Sequence, residues 1–94
     1  MATRFDAVLA EALFVSALQA SQQPGADEIR SAVTSSLRWF GTGDCAARVA
    51  QAFGDTPETA VRRMVWALDT VRTVYRTDAA VTEPSADGTL ALIG

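Results

Sequence analysis

The sequence predicts an all-α fold, with four helices in an orthogonal, bundle-like arrangement over residues 1–76 and a flexible tail over residues 77–94. Apolar residues recur at steps of three and four in four successive segments, which is the spacing of one face of an α-helix. Gly, Pro and polar residues separate those segments, and these residue types interrupt helices. No segment shows the alternating pattern of a strand, so a single helical domain is expected.

The first helix is predicted at residues 3–20, which are rich in the strong helix formers Ala and Leu. Its apolar residues lie on two opposite sides, and one side is formed by Phe5, Leu9 and Leu13. Leaving these three side chains in water would forgo roughly 5–9 kcal/mol, at 1.5–3 kcal/mol each. We therefore expect a second copy of the chain to cover them, which makes the protein a homodimer.

The second helix is predicted at residues 26–40, with Asp27 and Glu28 in its first turn, where the helix dipole favours acids. Its expected buried stripe, with Trp39 beside it, is Ile29, Val33, Leu37 and Phe40. Gly41 and Gly43 are predicted to end this helix over residues 41–43. A short third helix follows at residues 44–53, and its expected buried residues are Ala46, Val49, Ala50 and Phe53.

The fourth helix, at residues 56–76, has the best-defined start. Thr56 is a favourable N-cap, and Pro57 suits the first helical position because its missing N–H is not needed there. The spacing predicts a buried stripe of Val61, Met64, Val65, Leu68, Val71 and Tyr75.

Trp66 is turned away from that stripe and has Arg62 and Arg63 beside it. Aromatic residues and arginine are enriched at the centres of protein–protein interfaces. Trp66, Arg62 and Arg63 are therefore the predicted partner-binding residues.

A turn at Gly54 separates the third and fourth helices, and Ala50 lies four residues before it. In this respect residues 46–68, about a quarter of the chain, resemble the helix-turn-helix family of DNA-binding domains, in which a small residue lies where the two helices cross. The resemblance implies that Thr59, Arg62 and Arg63 face DNA, with the arginines available to phosphates or guanine edges.

The chain departs from the helix-turn-helix pattern at two positions. Asp55 follows the turn glycine, where the family often has an apolar residue, and Arg63 stands where a buried aliphatic residue is expected. Asp55, Glu58 and Asp69 would also repel phosphates near the proposed reading face.

The composition argues against several classes of function. A net charge of −3 is unfavourable for a protein that mainly coats nucleic acid or an anionic membrane. The chain has no His, and Asp44 beside Cys45 is expected to raise the pKa of that thiol. No catalytic residue, metal site or cofactor is therefore predicted.

The compartment is expected to be the cytoplasm. One cysteine cannot form an internal disulfide, and Asp6 and Glu11 interrupt the amino-terminal apolar run, unlike a signal peptide or a membrane span. The predicted function is that of a small non-enzymatic interaction or accessory protein that self-associates through its first helix. The alternative is a helix-turn-helix transcriptional regulator.

Overall fold

The structure, a computed structural model, describes residues 4–82 of the chain. It contains three α-helices: α1 at Arg4–Val15, α2 at Ala26–Asp55 and α3 at Pro57–Thr82, with a short 3₁₀ turn at Ala20–Gln22 between α1 and α2. Over this part of the chain no strand is present. The all-α prediction is confirmed, but the predicted count of four helices is not reproduced.

The difference in helix count arises at Gly41, which lies inside α2 with φ 75° and ψ 168°. This backbone conformation is accessible essentially only to glycine. It kinks α2 into a first arm, residues 26–40, and a second arm, residues 42–55. The helix break predicted at residues 41–43 is thus a kink at one residue, and no loop separates two independent helices.

Helix α1 is the centre of the fold because α2 and α3 both pack against it. Leu9 and Leu13 belong to one buried cluster with side chains from both arms of α2 and from α3: Ile29, Val33, Cys45, Ala67 and Val71. The expectation that a single chain cannot cover Leu9 and Leu13 is therefore wrong, and Leu13 is 0 % exposed. Phe5, which is 64 % exposed, is the one member of that predicted interface at the surface.

Helix α1 ends at Val15, five residues before its predicted end at residue 20. The chain turns at Ser16, whose backbone N–H and hydroxyl both donate to the carbonyl of Leu13, at 3.1 and 2.6 Å. The N–H of Leu18 in turn donates to the Ser16 hydroxyl at 3.3 Å. Serine competes for backbone groups in this way at helix ends, and it stops the helix although Ala17 and Leu18 favour continuation.

Helix α3 begins at Pro57 as predicted but extends to Thr82. Residues 77–82 of the predicted flexible tail are therefore helical, and residues 83–94 lie outside the described part of the chain.

The face that α3 buries differs by one residue from the predicted stripe. Val71 is buried as expected, but Ala60 and Ala67 are the other buried residues, while Val61 and Val65 are 51 % and 55 % exposed. Small alanines allow α3 to lie close against α1, so the closest packing selects them over the larger valines.

The helix-turn-helix resemblance is not supported by the structure. Only Thr56 separates α2 from α3, whereas a helix-turn-helix has a turn of about three or four residues. Ala46 and Ala50 are both exposed, so no second helix crosses closely at Ala50.

Candidate protein-interaction site

Arg63, predicted to bind a partner or DNA, is engaged inside the fold. Its Nε donates to the Phe14 carbonyl at 2.7 Å, and its Nη2 lies 3.0 Å from the Ser16 carbonyl and 2.9 Å from that of Leu18. The Leu13 carbonyl lies farther from Nη2, at 3.4 Å. A cation at a helix carboxyl end satisfies carbonyls that lack a partner in the helix and complements the helix dipole. Burial lowers the pKa of Arg63.

Trp66 is likewise part of the packed structure. It is half-buried against the main core cluster, and the Cζ of Arg63 lies 5.2 Å from the centroid of its ring. The predicted exposed cluster is therefore corrected, because of its three residues Arg62 alone is exposed. Thr59 is exposed as well. The α3 sequence could not show this, since Arg63 contacts residues 13–18 and Trp66 packs against a core that includes residues of α1 and α2.

Trp39, on the first arm of α2, is more exposed than Phe5, with 83 % of its surface accessible to solvent. It stands at an open groove with a volume of about 810 Å³, which we call the Trp39 groove. The lining residues of the Trp39 groove are Val15, Ser16, Ala17, Leu18, Gln22, Asp27, Glu28, Ser31, Ala32, Ser35, Ser36, Trp39 and Phe40.

Two segments form the walls of the Trp39 groove. One wall is the end of α1 with the turn that follows it, where Val15 and Leu18 lie along the groove. The other is a face of the first arm with small side chains, including Ser31 and Ser35. At the end of this arm the Phe40 ring is covered by Arg48, whose Cζ lies 4.1 Å from the ring centroid. The groove thus combines one apolar wall with a second wall that carries small side chains and hydroxyl groups.

Opposite charges lie at the two ends of the first arm. At its start, Asp27 accepts a hydrogen bond from Arg30 at 2.7 Å, and Glu28 accepts one from the Gly25 N–H at 3.0 Å. At its end, Arg38 lies beside Trp39 and Ser35 in an adjoining cavity. A ligand lying along the arm therefore meets Glu28 and the Arg30-paired Asp27 at one end and Arg38 at the other.

The sequence contains a signal for the exposure of Trp39, although Trp39 is not among the predicted site residues. Trp39 shares its helix face with Ser31 and Ser35, at steps of four residues, and not with the buried Ile29 and Val33. A tryptophan in a row of serines is a signal for an exposed aromatic residue.

Cys45 is buried and poorly suited to nucleophilic chemistry. Burial raises the pKa of the Cys45 thiol, with further upward contributions from Glu11 and Asp44 and a smaller opposing one from Arg48. The predicted direction of the Asp44 effect is confirmed. Across residues 4–82, no cluster of three or more His, Cys, Asp or Glu side chains is placed to hold a metal.

None of the helices in the described part of the chain combines the length and apolar character that crossing a membrane requires.

The chain matches no protein-family model, no curated protein and no solved structure.

Proposed function

We propose that this protein is a non-catalytic interaction module of the cytoplasm that binds an amphipathic α-helix of another protein in the Trp39 groove. The observation that carries the proposal is the exposure of Trp39 at a groove that has apolar side chains along one wall. Tryptophan is the residue type most enriched among interface hot spots, and an exposed one is unfavourable in water unless a ligand covers it.

The shape of the groove suits a helix. Ser31, Ala32 and Ser35 are small, so a second helix can approach the first arm at the usual 8–10 Å between axes. Val15 and Leu18 then line the other side and receive apolar residues that recur at steps of three and four. A partner helix would be held between these walls with Trp39 against one of its ends.

The charges favour one direction for the partner helix. Helices commonly carry basic residues in their last turn and acidic residues in their first turn, because of the helix dipole. A partner helix antiparallel to the first arm places its basic carboxyl end near Asp27 and Glu28 and its acidic amino end near Arg38. The ligand is thus an amphipathic helix with acidic residues at its start and basic residues at its end.

The test uses synthetic helical peptides with leucines at steps of three and four, acidic residues in the first turn and arginines in the last. Calorimetry measures the Kd, and ¹H–¹⁵N spectra locate the bound peptide. We expect micromolar binding that Trp39→Ala weakens about 30-fold, the effect of a 2 kcal/mol hot spot. Trp39→Phe retains part of the affinity, and Ser35→Glu blocks the groove.

Val61→Ala is the matched control, because it removes an exposed apolar side chain elsewhere and should leave the Kd unchanged. Peptides with the two charged ends exchanged should bind more weakly. Peptide binding that shifts no signal from residues 15–18 or 31–39, or that is insensitive to Trp39→Ala, would refute the proposal, and so would a failure of every such peptide to bind.

A further inference from the structure

Helix α3 carries a second row, apolar except for one arginine, beside the row that it buries. The row consists of Val61, Val65, Leu68, Arg72 and Tyr75, at alternating steps of four and three residues, and we call it the α3 seam. Alternation of this kind averages 3.5 residues, which is the repeat that keeps one stripe of a helix facing a second helix. The seam is open at its amino-terminal part, where Val61 and Val65 are both more than half exposed.

The seam is only partly covered by its own chain. The core fully buries Ala60, Ala67 and Val71 of the adjacent row, and Leu68 and Tyr75 of the seam are partly buried against the same core. Val61 and Val65 are the members of the seam that the chain leaves mostly in water. We propose that the α3 seam packs antiparallel against the α3 seam of a second copy of this chain.

Charge decides between parallel and antiparallel pairing. In a parallel pair, Arg72 would lie directly against the second copy's Arg72, and like charges at a helix interface are unfavourable. In the antiparallel pair, Val65 faces the second copy's Leu68, and Arg72 faces the second copy's Val61. Arg72 is half-buried in its own chain, with its Nε enclosed, and the part of its side chain that remains accessible can then cover the valine.

Charge also selects the register. Arg62 and Asp69 flank the seam on its outer side and are both exposed. In the antiparallel register just described, Arg62 lies beside the second copy's Asp69, and the two-fold axis repeats this pair. A shift by one heptad in one direction would bring Asp69 beside the second copy's Asp69, and a shift in the other would bring Arg62 beside the second copy's Arg62. Flanking charges of this kind specify coiled-coil pairing.

Phe5 extends the seam from α1. It borders a cavity of about 230 Å³ with Arg72 and Tyr75, at the carboxyl-terminal part of the seam. In the antiparallel pair this part lies against the second copy's Val61, so the exposed Phe5 ring is covered as well. Self-association therefore includes Phe5 of the predicted interface but takes place mainly through α3.

The α3 seam and the Trp39 groove are separate surfaces. Val61 and Val65 lie on one side of α3, whereas Arg63 contacts the turn after α1 that forms a wall of the groove. Residues 63 and 65 are roughly 200° apart around the helix. The pairing thus does not depend on the proposed peptide binding, and the two can be tested independently.

The experiment measures the oligomeric state of the full chain by sedimentation velocity and light scattering over a range of micromolar concentrations. We expect a monomer–dimer equilibrium whose Kd rises at least about 100-fold with Val65→Glu, because each dimer would then contain two carboxylates at its apolar centre. Val65 is more than half exposed in the single chain, so circular dichroism should show an unchanged helix content. Trp39→Ala is the control and should leave the dimer intact.

Charge exchange tests the register. Arg62→Asp and Asp69→Arg should each weaken the dimer about tenfold, since each places like charges together, and the double variant should restore it. A wild-type monomer throughout the range, or a dimer unaffected by Val65→Glu, overturns the pairing. Failure of the double variant to restore the dimer overturns the antiparallel register.

Discussion

Replacement of Arg63 by alanine should destabilise the protein more than any other arginine substitution in the described part of the chain. Three close hydrogen bonds would be lost, from the guanidinium to the carbonyls of Phe14, Ser16 and Leu18. Bonds from a charged donor contribute about 1.5–3 kcal/mol each, and the half-exposed setting of Arg63 favours values below this range. At about 1 kcal/mol per bond, the free energy of unfolding should fall by about 3 kcal/mol.

The measurement is urea and thermal unfolding followed by circular dichroism. A loss of about 3 kcal/mol corresponds to a decrease in Tm of roughly 12–24 °C for a domain of this size. Arg38→Ala, which removes an exposed arginine, is the control and should change stability by less than about 0.5 kcal/mol. Arg63→Lys should recover less than half of the loss, because one ammonium cannot reach all three carbonyls. Equal stability of Arg63→Ala and Arg38→Ala would refute this account of α1.

Three further predictions concern the backbone kink, the core and the buried thiol. Gly41→Ala should lower the free energy of unfolding by about 1–3 kcal/mol, because Gly41 has a φ of 75°. Gly43→Ala should raise it by about 0.5–1 kcal/mol, because Gly43 lies in regular helix with open space around it. Unfolding curves in which both variants change stability in the same direction would contradict the kink. At concentrations where the chain is monomeric, Leu13→Ala should lower the free energy of unfolding by about 2–5 kcal/mol, and Phe5→Ala should lower it much less. Similar losses for the two variants would contradict the assignment of α1 to the core. The pKa of Cys45 is raised above the ordinary value of 9.0, so the protonated thiol stabilises the fold fully below that pH, and this stabilisation is lost as the pH rises through the folded-state pKa. The free energy of unfolding, measured on both sides of pH 9.0, should therefore decline with rising pH, and Cys45→Ala should reduce the decline. An equal decline in the variant would contradict this assignment to Cys45.

Local signals predicted the helical elements and several of their ends. Pro57 marks the start of α3 because its chemistry suits that one position, and glycine at residue 41 marks a change in chain direction. Ile29 and Val33 were identified as core residues because the spacing of the first arm leaves them one common face. In each case the determining interactions lie within a few residues, and so they can be read from neighbouring positions.

Properties that depend on distant residues were not predictable in this way. The helix propensities of the residues near the end of α1 do not reveal that Arg63 binds the carbonyls there, since the bonded groups are 45–49 residues apart in the chain. The periodicity of α3 supports two adjacent rows, and the choice between Val61 and Ala60 depends on how closely α1 approaches. Likewise, the residues around Trp66 in α3 do not reveal that it is half-buried, because the core against which it packs includes residues of α1 and α2.

The link from Arg63 to the end of α1 has a consequence for the order in which the fold is assembled. A chain is synthesised from its amino terminus, so the residues of α1 are made well before residue 63 has been added. Until then, water takes the place of the guanidinium as the hydrogen-bond donor to the carbonyls of Phe14, Ser16 and Leu18. The segment that is synthesised first therefore has a carboxyl-terminal boundary that is completed only when α3 packs against it.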